Sequence, residues 1–156
     1  MRADVIRGGY RLREPADGAT DRVLLAACGA VVPETLLAAE LLVENEGVDA
    51  TVLCLSSPDR LYHDWRASHM PAIETGSATG TCQLERLLAP DERGLPVVTV
   101  IDGASHALAW LGSALGVRCV PLGVDRFGQS GSQPSVYAEY SLSPDAIVAA
   151  ALVALG

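Results

Sequence analysis

Short apolar runs alternate along the chain with longer stretches of helical periodicity. The continuous aliphatic runs are typical of strands covered on both faces and lie at residues 22–29, 49–57, 95–102 and 117–123. Helices are predicted between and after them, at residues 32–47, 57–65, 81–89, 105–116 and 143–155. This alternation predicts an α/β fold with three layers (α/β/α) and a mostly parallel sheet.

Two further segments complete the predicted architecture. Residues 5–14 alternate in places and predict a fifth strand at one edge of the sheet, within a lead-in segment of residues 1–20. Residues 68–80 contain Pro, Gly, Ser and Thr and are predicted to form the one extended loop. A length of 156 residues predicts a single domain, 1–156.

Two of the predicted helices begin with the same tripeptide, Ser-Pro-Asp. Ser57 and Ser143 are each followed by a proline and an aspartate. A serine hydroxyl caps a helix by accepting a bond from a backbone amide two or three residues on, and proline suits the first helical position. Both serines are therefore predicted to be helix caps.

The composition excludes several classes of protein. The formal net charge is -8 and all 11 basic side chains counted as Lys or Arg are Arg, which argues against binding to a nucleic-acid backbone. No apolar run reaches 18 residues and no signal peptide opens the chain, so we expect no membrane span and a cytoplasmic location. The 4 cysteines are widely spaced and are expected to be reduced and buried.

Polar residues follow each predicted strand. Because the carboxyl ends of parallel strands meet at one edge of a sheet, these residues are expected to gather there. They are Ser56, Ser57, Asp102, Ser105, His106 and the loop from Gly123 to Gly131, which contains Asp125. A glycine-rich loop that leaves a strand can cradle a phosphate, so this edge is the candidate ligand site.

No established catalytic motif occupies this edge. The loop 123–131 has neither of the two phosphate-binding glycine spacings, and the chain has no lysine to reach a phosphate. Asp102, Ser105 and His106 lie within one turn, whereas a hydrolase triad draws its members from separate loops. We expect Asp102 and Ser105 to cap the helix that follows. The sequence thus predicts no catalytic, cofactor-binding or metal-binding residue.

The three histidines do not have the spacing of a metal site. His63, His69 and His106 show neither an i,i+4 pair nor an H-E-x-x-H pattern. His63 follows Asp59 by four residues in a predicted helix, so a pairing along the helix face is the ordinary explanation.

The tail of the chain resembles a known superfamily. The stretch LGVDRFGQSGSQPSVYAEYSLSPDAIVAAALVAL, residues 122–155, is similar to the closing segment of transketolase-like thiamine enzymes. The matching residues are Gly123, Asp125, Phe127, Ser130, Gly131, Tyr140, Leu142 and Ile147. Residues 5–14 and 48–65 resemble the C-terminal domain of the homodimeric pyruvate dehydrogenase decarboxylating subunit. Arg126, Gln129 and Gly131 depart from that subunit's pattern, and residues 66–82 are shorter and different.

The resemblance implies a non-catalytic C-terminal domain of a larger subunit, with an antiparallel edge strand. It also implies thiamine diphosphate and Mg²⁺ in the parent enzyme, bound by other domains of the same subunit, and a homodimer. In this interpretation the loop 123–131 only routes the chain: its glycines serve turns with positive φ, Asp125 bonds neighbouring amides as in an Asx turn, and Phe127 plugs the sheet edge.

Two alternatives stay open from the sequence. The parent enzyme can be a transketolase or a deoxyxylulose-phosphate synthase relative instead of a pyruvate dehydrogenase. The chain can also be an independent α/β domain that binds a small ligand or regulates another protein through its polar edge.

Overall fold

The computed structural model describes residues 2–16, 18–78 and 80–156. The strands are β1 (Tyr10–Arg13), β2 (Arg22–Cys28), β3 (Asp49–Cys54), β4 (Val97–Ile101) and β5 (Cys119–Leu122). The helices are α1 (Arg2–Arg7), α2 (Val32–Leu41), α3 (Pro58–Thr75), α4 (Gln83–Arg86), α5 (His106–Leu115), α6 (Gln133–Glu139) and α7 (Pro144–Leu155). Short 3-10 turns occupy Gly29–Val31 and Pro90–Glu92, and a π turn, Leu42–Glu46, extends α2.

The strands form one five-stranded sheet in the order β1-β3-β2-β4-β5. β3, β2, β4 and β5 are mutually parallel, and β1 runs antiparallel to β3 at one edge. The predicted fold class, with four parallel strands and an antiparallel edge strand, is confirmed.

The core lies in two layers, one on each face of the sheet. Along β2, Val23 and Leu25 face α2 and α7, whereas Leu24 and Ala26 face α3, α4 and α5. This strict alternation follows from the two-residue period of a strand. All four side chains are essentially inaccessible to solvent, as expected for a central strand that is covered on both sides.

The edge strand is shorter than the sequence predicted. Residues 10–13 form β1, but Val5–Arg7 belong to helix α1. The chain turns at Gly8, whose amide donates to the carbonyl of Val5, and Gly9 then donates to Asp4. The prediction was therefore wrong for residues 5–7. Alternation of apolar and polar residues over so few positions does not distinguish a strand from a short helix.

The predicted loop at 68–80 is also mostly wrong. Helix α3 continues without interruption through Pro71 and ends at Gly76, which has φ 67°. Proline removes one amide donor from a helix, and α3 continues in spite of this loss. The Thr75 hydroxyl donates to the Pro71 carbonyl at 2.7 Å and adds a bond to the last turn. Residues 76–78 and 80 do lie outside regular structure, and residue 79 lies outside the described part of the chain.

The last two helices form the one stretch that is long and apolar enough, by length and composition alone, to cross a membrane, Gln133–Leu155 within the described residues. The stretch is not a single helix, because α6 ends at Glu139 and Ser141 has φ 57°. Ile147, Ala151 and Ala154 of α7 are buried in the core. We therefore treat α7 as a core helix.

Candidate functional site

The carboxyl ends of β2 and β4 mark the place where ligands bind in many parallel sheets. Helix α2 leaves β2 toward one face and α5 leaves β4 toward the other, which opens a crevice between their loops. In this protein the carboxylate of Asp102 occupies the crevice. Its Oδ2 accepts a hydrogen bond from the Ala30 amide at 2.9 Å.

The turn after β2 is shaped around this carboxylate. Gly29 has φ 85°, and a Cβ at this position would overlap the side chain of Asp102. Only glycine combines this backbone conformation with such close approach. The predicted role of Asp102 as a cap of α5 is therefore wrong, since its carboxylate instead joins β4 to the turn after β2.

The neighbouring crevice, between the loops after β4 and β5, is closed in a similar way. Asp125 Oδ1 accepts from the amide of Ser105 at 2.9 Å, and Val124 donates its amide to the Gly103 carbonyl at 2.7 Å. Bonds from the Ser105 hydroxyl and amide lower the pKa of Asp125. The prediction that Asp125 bonds neighbouring amides is therefore wrong, since it bonds Ser105, which lies 20 residues earlier in the chain.

Ser105 also departs from its predicted role. It precedes α5 at the N-cap position, but its side chain makes no capping bond. His106, the first residue of α5, is exposed. Since Asp102 is bonded to Ala30, these three neighbours are not aligned as a catalytic triad.

Ser56 and Ser57 anchor the N-terminal helix to the end of β3. Ser56 Oγ donates to the Val5 carbonyl at 2.8 Å, and the amide of Ser57 donates to the Gly8 carbonyl at 3.0 Å. The Ser57 hydroxyl donates to Asp59 at 2.6 Å and makes no capping bond to the backbone of α3. The predicted capping role of Ser57 is wrong, because its hydroxyl is directed to the Asp59 carboxylate and not to an amide of the first turn.

Asp59 and His63 are close enough to interact electrostatically. The Ser57 hydroxyl is the main cause of the lowered pKa of Asp59, and the charge of His63 contributes a smaller part. This attraction is weak, and the pairing of Asp59 with His63 on the helix face stays a prediction. Among the described residues, no group of three or more His, Cys, Asp or Glu side chains is arranged to hold a metal ion.

Beside this polar edge, α3 and α5 enclose an open cleft of about 560 Å³. Its lining is mainly apolar with a few polar groups, and consists of Cys28, Pro58, Asp59, Tyr62, Ile101, His106, Ala107 and Trp110. The Tyr62 and Trp110 rings meet edge to face, with centroids 5.3 Å apart, and Trp65 stacks on Trp110 at 5.7 Å. Burial raises the pKa of the Cys28 thiol, so it is a poor nucleophile.

Sequence reasoning named His106 and Asp59 but missed Cys28, Tyr62 and Trp110 as cleft residues. Tyr62 and Trp65 are spaced three apart and so share a face of α3. That spacing was the available signal, but nothing in the sequence indicates that Trp110 of another helix would complete the aromatic wall.

The loop after β5 differs from its prediction in two respects. None of Gly123, Gly128 and Gly131 is among the glycines with positive φ. Gly123 is required for closeness instead, since a Cβ there would lie 2.6 Å from the Gly103 carbonyl oxygen and the Ser105 amide nitrogen. Phe127 does not plug the sheet edge, because its side chain is 98% exposed.

The sequence pattern of the transketolase-like TK C-terminal domain matches residues 8–143. The chain belongs to this family. The plasmid-encoded transketolase of Cupriavidus necator is 33% identical over 155 residues, which cover 99% of this chain and 19% of that protein. The chromosomal transketolase of the same organism is 32% identical over 155 residues, with the same coverage. The chain therefore spans about a fifth of the length of these relatives.

Solved structures of the transketolase class share the fold. The Leishmania mexicana transketolase superposes with a TM-score of 0.67 at 16% identity, over 98% of this chain and 18% of that one. A split-gene transketolase, solved as an inactive β4 tetramer, gives a TM-score of 0.60 at 25% identity, over 94% of this chain and 41% of that one. The transketolase C-terminal domain fold is thus established for this chain, while closeness to pyruvate dehydrogenase is not shown.

Proposed function

We propose that this chain is a non-catalytic assembly domain of a thiamine diphosphate-dependent enzyme of the transketolase class. One observation carries the proposal. Two backbone amides at the ligand-binding edge, those of Ala30 and Ser105, already donate to Asp102 and Asp125. These carboxylates tie the loops after β2, β4 and β5 together, and this edge is therefore a scaffold.

The described residues do not fit thiamine diphosphate or its metal ion. A diphosphate needs free backbone amides or basic side chains, and here the edge presents two carboxylates. The described residues also offer no cluster of metal ligands. We assign the cofactor to parts of the enzyme outside this chain, and no chemical step to the chain itself. The same interpretation includes a homodimeric parent enzyme in the cytoplasm.

Two reactions remain candidates for the parent enzyme. The curated relatives named above are transketolases, which favours transfer of a two-carbon unit between sugars. The resemblance of residues 5–14 and 48–65 favours a pyruvate dehydrogenase decarboxylating component. Two assays of the assembled enzyme distinguish them: one with a ketose phosphate donor and an aldose phosphate acceptor, the other with pyruvate and an electron acceptor. We expect turnover in the assay with the ketose donor. Turnover only in the assay with pyruvate would establish the second reaction.

A second candidate function rests on the cleft between α3 and α5. An open, mainly apolar cleft with a few polar groups is a common form of small-molecule site, and the aromatic wall of Tyr62 and Trp110 would suit a flat ring. A thermal-shift screen of small aromatic metabolites against this chain tests the idea. A stabilisation that is lost in Tyr62→Ala, but kept in Ile73→Ala at the far end of α3, would favour a ligand-binding domain.

A further inference from the structure

Phe127 is the only phenylalanine in the chain, and its side chain is 98% exposed. Among the described large hydrophobic side chains, Ile73 follows at 74%. Exposing a whole phenyl ring to water forgoes roughly 2 kcal/mol of burial energy. A flexible loop would fold back and cover such a ring, so the ring stays exposed only where the loop is held in place.

The loop that carries Phe127 is held by defined contacts. The Tyr140 hydroxyl donates to the carbonyl of Phe127 at 2.6 Å, and Tyr140 itself is only 7% exposed. The Arg126 guanidinium lies over the Tyr140 ring at 5.4 Å and donates to the Glu139 carbonyl at 2.7 Å. These contacts hold the backbone at Phe127 and the side chain of the residue before it. The structure therefore holds the phenyl ring outward.

The segment that follows the ring along the chain lacks charge. Residues 127–138 contain no acidic or basic side chain, in a chain with net charge -8. Residues 125–135 are all exposed. The two charged residues just before the ring have partners within the chain, since Asp125 accepts from the Ser105 amide and Arg126 is paired with Glu139 at 3.1 Å. Depletion of charge around a projecting aromatic ring is the composition of the centre of a protein–protein interface.

We propose that the loop 125–135 is a docking surface, with Phe127 as its anchor, for the part of the transketolase-class enzyme that lies outside this chain. That occupant follows from the proposed function and from the size of the relatives, of which this chain covers about a fifth (19%). The partner surface is an apolar recess with a neutral, hydrogen-bonding rim that accepts the glutamine and serine side chains beside the ring. An acidic chain with a single exposed phenyl ring has little affinity for a nucleic acid or an anionic membrane.

Site-specific photocrosslinking tests the occupant directly. Benzoylphenylalanine is placed at position 127, or at position 73 as the control, in the enzyme as its source organism assembles it. We expect crosslinks from position 127 to peptides that belong to the remainder of the enzyme, and few or none from position 73. Crosslinks only to a second copy of residues 1–156, or none from position 127, would overturn the proposal.

Substitution tests the energetic role of the ring. Phe127→Ser is expected to weaken association with the remainder of the enzyme by about 30-fold, as for an aromatic anchor, with Ile73→Ser within about twofold of the unchanged protein. If residues 1–156 and the remainder of the enzyme belong to one polypeptide, the weaker contact is measured as faster release of residues 1–156 by limited proteolysis. If Phe127→Ser and the unchanged protein associate equally well, Phe127 is not the anchor, while the proposed function still stands. Failure of the unchanged protein to associate with any transketolase component overturns the proposed function as well.

Discussion

The carboxylate of Asp102 bonds the amide of Ala30 across the crevice between β4 and β2, at 2.9 Å. This contact fills the place where a ligand would otherwise meet the backbone. It depends on Gly29, which leaves room for the carboxylate. The loops after β2 and β4 are therefore joined by a side chain of the protein itself, and not by a bound ligand.

Replacing Gly29 with alanine is expected to break this contact. Gly29 and Gly47 both have positive φ, but only at Gly29 would a Cβ meet a neighbouring atom, in the Asp102 side chain. Gly47→Ala should cost about 1 kcal/mol of unfolding free energy through φ alone, and Gly29→Ala at least about 2 kcal/mol more because a packed group must move. Urea denaturation of the two variants measures the difference, and equal losses would show that the Asp102 contact contributes nothing.

Glu92 is the centre of a buried ion-pair network. Its side chain is fully buried and bonds Thr51, the Ala89 amide at 2.7 Å, Arg11 at 2.5 Å and Arg22 at 3.1 Å. Burial alone would raise the pKa of Glu92, but the bonds from Arg11, Thr51 and Ala89 outweigh it and lower the pKa to about 2. The network joins β1, β2 and β3 to the segment before β4.

Glu92→Gln is expected to cost about 3 kcal/mol at neutral pH, because it removes the buried charge that the partly buried Arg11 and Arg22 share. Each arginine then keeps only an exposed carboxylate partner, Glu14 or Asp91. Glu14→Gln is the matched control, since Glu14 also pairs with Arg11 but is 66% exposed, and it should cost under about 1 kcal/mol.

The same network sets a pH dependence. Because the folded pKa of about 2 lies below the ordinary value of 4.5, the stabilisation from Glu92 is complete above pH 4.5 and is lost as the pH falls toward 2. Acid unfolding curves of the two variants measure it. A Glu92→Gln curve that is parallel to that of the unchanged protein would contradict this role.

The two Ser-Pro-Asp starts are expected to behave differently. Ser143 Oγ accepts from the Ala146 amide at 3.4 Å, whereas Ser57 Oγ is engaged with Asp59. Ser143→Ala should lower the unfolding free energy by about 0.5–1 kcal/mol, as for a lost cap, and Ser57→Ala by less. Thermal denaturation of both variants measures this, and a larger loss from Ser57→Ala would restore the capping interpretation of that residue.

The cysteine thiols are expected to react slowly. Burial raises the pKa of Cys28, Cys82 and Cys119, and Cys82 is almost inaccessible. Since the thiolate is the reactive form, Cys82 should be alkylated by iodoacetamide at pH 7 far more slowly than in the urea-unfolded chain. Peptide mass spectrometry follows the time course, and equal rates in the folded and unfolded chain would contradict the burial of Cys82.

The layered fold was predictable because it depends on local periodicity. Strand β2 is apolar on both faces and α7 follows a capping serine, and each of these signals lies within a few residues of the element that it predicts. The site was less predictable, since Asp102 and Ala30, or Asp125 and Ser105, are brought together only by the sheet. A helix that tolerates Pro71 and a loop that projects Phe127 likewise depend on contacts outside the local sequence.

The most direct test of the scaffold interpretation concerns His106, the exposed imidazole at the edge of the cleft. His106→Ala is introduced into the assembled enzyme, and kcat and Tm are measured on the same preparation. The scaffold account predicts a kcat within about twofold of the unchanged enzyme and a Tm within about 2 °C, as for an ordinary surface substitution. A tenfold or greater loss of kcat with an unchanged Tm would contradict it and would place this edge in the chemistry of the enzyme.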